Sequence, residues 1–116
     1  MINNIPGDLQ VVILAGGKGT RLEKVNNGLP KSLTPVLSIP IIRHQINYCK
    51  SQGLKRFLIV LCFKSDQILD YFKNNPIDGI EIKFFIEKKP MGTGGSLIAC
   101  KDLLSEYFLV LYSDTY

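Results

Sequence analysis

Residues 10–17 read QVVILAGG, a run of aliphatic and β-branched side chains that stops on two glycines. No polar residue interrupts Val11 to Ala15, so the strand has no solvent face, and burial on both faces is the habit of parallel sheets. Working outward, FLIVLCF (57–63) and YFLVLY (107–112) read as further strands, and IEIKFFIE (80–87), which alternates before turning continuously apolar, as another. Helices are expected between them. PIIRHQINYCKSQG (40–53) has Pro40 to start it, Gly53 to stop it, and Ile42, Ile46 and Cys49 on one face. SDQILDYFKNNP (65–76) takes Ser65 as N-cap, and GGSLIACKDLL (94–104) opens on glycines. Strand and helix in alternation predict an α/β fold, a Rossmann-like, mostly parallel sheet with right-handed crossovers and helices on both faces. Asn26 to Pro40 is too broken by Asn, Gly and Pro for regular structure and is expected to cross the surface as an ordered loop.

The chain of 116 residues is one domain in size, and 46% hydrophobic against 21% charged residues is an ordinary globular balance. Its net charge of +4 is dispersed, with no run of five or six like charges. That disfavours a nucleic-acid or membrane partner and suits a small anionic ligand equally well as a solvated surface. Cys49, Cys62 and Cys100 are odd in number and lack a C-x-x-C spacing, so buried thiols are expected rather than disulfides or zinc. The N-terminus MINNIPGDLQ has no cationic-then-apolar pattern, and VVILA is far too short to span a membrane; a cytoplasmic protein is the expectation.

The chemistry sits in the connections. Gly16-Gly17-Lys18-Gly19-Thr20-Arg21-Leu22 follows the first strand, where backbone N–H groups can cradle phosphates. It is not a Walker A loop, which needs Gly at Val12 and Ser or Thr at Gly19. A dinucleotide fingerprint would place its third small residue on Leu22. Taken alone, the loop is either a tight turn that tolerates glycine or a phosphate cradle. Lys18 and Arg21 favour a polyphosphate, since guanidinium binds phosphate oxygens bidentately. Lys31, after Pro30, and the glycines of EKKPMGTGGSL (87–97) fall on further loops, the latter on the same sheet edge as the first loop. Asp114 follows the fourth strand on that edge; beside phosphates, a carboxylate needs an intervening cation, which suggests a Mg²⁺ ligand. A turn-favouring Asp is the plainer alternative.

LAGGKGTRL (14–22), LPKSLTPV (29–36), EKKPMGTGGSL (87–97) and LVLYSDTY (109–116), in this order, resemble the sugar-1-phosphate nucleotidyltransferases, most nearly the manno-heptose 1-phosphate guanylyltransferase type. The resemblance implies the GT-A-type nucleotidyltransferase fold, with residues 1–116 as the nucleotide-binding N-terminal part of a single domain, truncated after the fourth strand. It implies that Leu14, Ala15, Gly16 and Gly17 hold base and ribose, and that Gly19, Thr20 and Arg21 grip the triphosphate with Lys18 assisting. Lys31 would neutralise charge at the reacting phosphates, Glu87, Gly92 and Thr93 would line the nucleoside pocket, and Asp114 would hold Mg²⁺. The implied partners are a nucleoside triphosphate, with GTP favoured, and a manno-heptose or mannose 1-phosphate. The implied reaction needs no general base, because the sugar phosphate is already an anion, and His44 is then a surface or packing residue.

Two departures qualify the resemblance. The family commonly has Asn-Gly before the metal-binding Asp, where this chain has Tyr112-Ser113, and Tyr112 is expected to crowd the nucleotide side. Family members also continue beyond this point with a second metal-binding Asp. A noncatalytic nucleotide-binding module is therefore the alternative function, and the fourth strand, paired beside the first, is expected to leave an apolar edge.

Overall fold

The computed structural model describes residues 9–16, 30–89 and 91–113. Four parallel strands form the sheet: β1 (Gln10–Leu14), β4 (Arg56–Leu61), β5 (Glu81–Ile86) and β6 (Phe108–Tyr112), in the order β5-β4-β1-β6. Register runs from Gln10 opposite both Arg56 and Phe108 to Leu14 opposite Val60 and Tyr112. The reading of QVVILAGG holds. Val11, Val12 and Ile13 have no exposed surface, as the central position between two partners demands.

Alternation of side chains splits the core into two layers. Val11, Ile13, Phe57, Ile59 and Leu61 face α1 (Ile41–Ser51) and α2 (Ser65–Asn74), meeting Ile42, Ile46, Ile68 and Phe72. Val12, Leu14, Leu58 and Val60 face the other way, toward Leu97 and Cys100 at α3 (Gly92–Ala99) and Phe108 and Val110 of β6. This division follows from handedness. The chain steps outward from β1 to β4 to β5, then reverses to reach β6, so a right-handed crossover must carry α3 over the opposite face. The strand order therefore reverses between β1 and β6, and the carboxyl ends of those strands flank the switch-point crevice.

Two local expectations are corrected. The segment before α1 is not without regular structure: a 3-10 turn, Lys31–Leu33, precedes a hairpin of β2 (Pro35–Val36) and β3 (Ile39–Pro40). Its turn residues, Leu37 and Ser38, both have positive φ, 52° and 67°. That is the geometry of a primed hairpin turn, for which Asn-Gly is the usual sequence signal. In α2, Ser65 is the first helical residue rather than the cap; Lys64 stands at the cap in a left-handed conformation, φ 52°.

Gln10 is buried at the amino end of β1, where its amide donates to Leu103 O at 2.9 Å and accepts from Ser105 N at 2.8 Å. The buried amide is thereby satisfied, and it ties the approach to β6 to the central strand. The expected apolar edge is present: Leu109 on β6 is 42% exposed, and Leu109 and Leu111 line a groove of about 360 Å³ with His44, Gln45, Tyr48 and Cys49 of α1. Among the described residues no helix is long and apolar enough to cross a membrane.

Candidate functional site

The sheet ladder continues past the ends of the strands. Ala15 N donates to Val60 O at 2.8 Å, Phe63 N to Gly16 O at 3.3 Å, Glu87 N to Leu61 O at 2.7 Å and Ser113 N to Leu14 O at 3.1 Å. Residues one or two places beyond all four strands are consequently held in register along one carboxyl edge. Leu14 and Ala15 bury their side chains in opposite core layers, so any contribution they make to a ligand comes from the backbone.

Gly16 is the point of closest approach. A Cβ built there would stand 3.1 Å from Cys62 Cβ and 3.6 Å from Glu87 Oε1, so any larger residue would crowd the gap between β1 and β4. Glu87 is 93% buried by the same packing, being only 7% exposed, and its Oε2 accepts a hydrogen bond of 2.6 Å from Ser96 Oγ, itself buried on α3. Gly16 and Glu87, distant in sequence, are thus brought together. The negative charge of Glu87 is also felt at Cys100, whose thiol pKa is pushed up chiefly by burial and further by that carboxylate. Cys49 is raised by burial alone. Cys49 and Cys100 are buried, as expected, whereas Cys62 is half-buried; none of the three is in a disulfide among the described residues.

The segment read as a glycine-rich loop is largely helical: α3 begins at Gly92, whose φ of 72° needs glycine, and its first turn includes Thr93, Gly94 and Gly95. Thr93 Oγ1 lies 2.7 Å from the Tyr112 hydroxyl. Tyr112 is thereby placed across the crevice from α3, its side chain bonded rather than loose. Its carbonyl accepts from Gln45 Nε2 of α1 at 2.9 Å. The 3-10 turn containing Lys31 packs on α1 through the buried residues Pro30, Ser32 and Leu33, with Leu33 N bonded to Pro30 O at 3.0 Å. His44 donates to Val36 O at 2.6 Å and fastens the hairpin to α1, a packing role.

Gly17, Lys18, Gly19, Thr20, Arg21 and Asp114 lie outside the described residues, as does the side chain of Lys31. Among the described residues no three His, Cys, Asp or Glu side chains group to hold a metal ion. One observation bears on a hard cation here: Ser113 Oγ, in the residue before Asp114, is buried and has no hydrogen-bond partner. An oxygen donor at that place suits Mg²⁺, which is held by one or two carboxylates together with substrate phosphates. Sequence reasoning missed Ser96, Gln45 and the role of Tyr112, since their partners come from other elements and no local spacing marks them.

A parallel sheet with Gly16 and a short glycine-rich helix at its switch point defines a Rossmann-like α/β fold. Residues 10–116 match the Nucleotidyl transferase family, and the chain belongs to that family. It is 36% identical over 108 residues to the D-glycero-alpha-D-manno-heptose 1-phosphate guanylyltransferase of Campylobacter jejuni subsp. jejuni, covering 93% of this chain and 48% of that protein. Identity to the mannose-1-phosphate guanyltransferase beta-B of Xenopus laevis is 34% over 110 residues, covering 91% of this chain and 31% of the relative. Among solved structures, HddC from Yersinia pseudotuberculosis complexed with GMP-PN superposes with a TM-score of 0.78 at 39% identity, over 93% of this chain and 48% of that one. The inositol-1-phosphate CTP transferase of T. maritima reaches the same TM-score, 0.78, at 20% identity over 94% of this chain and 44% of its own, a likeness of fold alone. The chain spans about half the length of the heptose 1-phosphate guanylyltransferase it matches.

Proposed function

We propose that residues 1–116 form the nucleotide-binding part of a sugar-1-phosphate nucleotidyltransferase, which transfers a nucleoside monophosphate from an NTP to a sugar 1-phosphate and releases pyrophosphate. The substrates are GTP and a manno-heptose or mannose 1-phosphate, a pairing supported by the names of two guanylyltransferase relatives. The observation that carries the reading is the convergence of Gly16, Glu87, Thr93 and Tyr112 on the carboxyl edge at the switch point, where open α/β sheets bind ligands. A soluble cytoplasmic setting is part of the same reading.

The sugar phosphate oxygen attacks the α-phosphorus and pyrophosphate leaves, with the P–O bond to the sugar phosphate forming as the bond to pyrophosphate breaks. Both reactants are polyanions, so the protein's task is alignment and offset of their repulsion. The backbone from Leu14 through Gly17 holds base and ribose, Gly19, Thr20 and Arg21 grip the triphosphate with Lys18 assisting, and Lys31 offsets charge where the two reactants meet. Gly16, Glu87, Gly92 and Thr93 bound the nucleoside. Asp114 would hold Mg²⁺, which when bound supplies charge neutralisation at the α-phosphate.

Calorimetric titration of the chain with GTP, ATP, CTP, UTP and dTTP, with and without Mg²⁺, tests this directly. GTP-selective, Mg²⁺-dependent binding is expected. Arg21→Ala removes charge-assisted hydrogen bonds of about 1.5–3 kcal/mol, a loss of roughly 10- to 100-fold in affinity. Asp114→Asn is expected to remove the Mg²⁺ dependence. Unaltered binding in both variants refutes the site.

A further inference from the structure

Tyr112 is bonded to both helical layers at the carboxyl edge. Its carbonyl is held by Gln45 of α1 at 2.9 Å on one face, and its hydroxyl meets Thr93 of α3 at 2.7 Å on the other. Its backbone is fixed against β1 by the register with Leu14 and by the following bond from Ser113 N to Leu14 O at 3.1 Å. A tyrosine so anchored does not merely fill space beside a ligand. With 46% of its surface exposed, it gains little from burial, and its fixed feature is the polar tip.

The partner on the other side is a helix that needs holding. α3 is eight residues, GTGGSLIA, and three of them are glycines. A helix this short is marginal in isolation, and glycine lowers its propensity further. Its N-cap, Met91, makes no side-chain hydrogen bond to it. The first turn is therefore set by tertiary ties, and among the described side chains these are Thr93 to Tyr112 and Ser96 to Glu87.

From this arrangement we infer that Tyr112 is a positioning residue for the nucleotide: by holding Thr93 it sets the first turn of α3 at a fixed distance from Gly16, across the switch-point crevice. The inference rests on the nucleotidyltransferase reading and extends it to a residue outside the loops that carry the charged groups. Tyr112 acts through Thr93, so its loss alters how the nucleoside is held and how well bases are told apart, without altering the charge presented to the phosphates.

The test has a ligand-free arm and a ligand-bound arm, on the full chain. Tyr112→Phe keeps the ring and removes the hydroxyl; Thr93→Val keeps the shape of the partner and removes its hydroxyl. Amide hydrogen exchange without nucleotide should quicken about 2- to 10-fold at Ser96, Leu97 and Ile98 in either variant, the effect of one neutral hydrogen bond, with no change in α1. The double variant should exchange no faster than the single ones. Titration with the five nucleotides should then show Tyr112→Phe binding its preferred nucleotide about 2- to 10-fold more weakly, with a narrowed preference among bases and an unchanged dependence on salt. Exchange that does not change in α3 overturns the tie itself. Quickened exchange with unchanged affinity and base preference overturns the positioning role and leaves a purely structural bond. Quickened exchange in the variants of a parent chain that binds none of the five nucleotides overturns the reading of this chain as nucleotide-binding, and the positioning role with it.

Discussion

Replacing Ser96 with alanine isolates the contact that holds the buried Glu87. The two side chains are 6% and 7% exposed, and the hydroxyl donates to the carboxylate over 2.6 Å, the length of a charge-assisted bond. Removing a hydrogen bond to an ionised group costs about 1.5–3 kcal/mol, because the carboxylate stays buried and loses a donor. Alanine returns roughly half a kcal/mol through its better helix propensity in α3. The expected net loss is about 1–2.5 kcal/mol, on the order of 4 °C in Tm per kcal/mol for a domain of this size. Glu87→Gln supplies the control, since an amide oxygen still accepts from Ser96 but carries no charge. In that background Ser96→Ala should cost about 1 kcal/mol less, with the propensity change cancelling around the cycle. Urea denaturation of all four chains measures each corner, read as midpoint at constant slope. If Ser96→Ala lies within about 0.5 kcal/mol of the parent, or costs the same in both backgrounds, the charged bond is not what holds Glu87.

Three further outcomes are expected. Leu37→Asn with Ser38→Gly gives the primed hairpin turn the residues its positive φ values favour and should stabilise the chain by about 1 kcal/mol, seen in thermal melting. Gly16→Ala places a Cβ 3.1 Å from Cys62 Cβ and should destabilise by about 1–3 kcal/mol, with partial recovery when Cys62→Gly removes the obstructing atom. Burial raises the pKa of Cys49 and Cys100 in the folded chain, so the folded state holds these protons more tightly than the unfolded one. Their contribution is fully present below the unfolded thiol value of about 8.5 and is lost as pH rises through the raised folded values, so the urea midpoint should fall in that window and fall less in a chain carrying Cys49→Ala and Cys100→Ala.

The sheet was legible because β1, β4 and β6 are continuous apolar runs and β5 alternates before turning apolar, with helical segments between them. The pairing of β6 beside β1, expected with the family resemblance, is present, and its half-exposed Leu109 bears out the expected edge. The hairpin before α1 escaped notice for a stated physical reason: Leu37 and Ser38 adopt left-handed backbone without Asn or Gly to announce it. Ser65 was misplaced as a cap because local preference cannot show that Lys64 makes the left-handed turn out of β4. At the site, Gly16 and Glu87 could be assigned to one edge from strand order alone. That Glu87 is buried on Ser96, and that Tyr112 bonds Thr93 instead of standing free in the crevice, depends on where α3 packs, and packing leaves no spacing to read.

Why a protein would keep so poor a helix as GTGGSLIA at this place follows from what glycine permits there. Gly92 has a φ of 72°, which a side chain would strain, and a Cβ at Gly95 would come 2.9 Å from Met91 Cβ. Those two glycines let the chain turn sharply from β5 and start a helix against its own preceding residue. The price is a first turn with little intrinsic stability, because each glycine lowers helix propensity by about 1 kcal/mol relative to alanine. Two hydroxyls offset it: Thr93 is tied to the end of β6, and Ser96 to the residue after β5. Both ties end on the carboxyl edge that also fixes Gly16, so α3 takes its position from the sheet rather than from its own sequence. A helix placed in this way can follow only where the strands lead it, and that is the property a switch-point crevice needs when its far wall must stand at a set distance from bound phosphates and base.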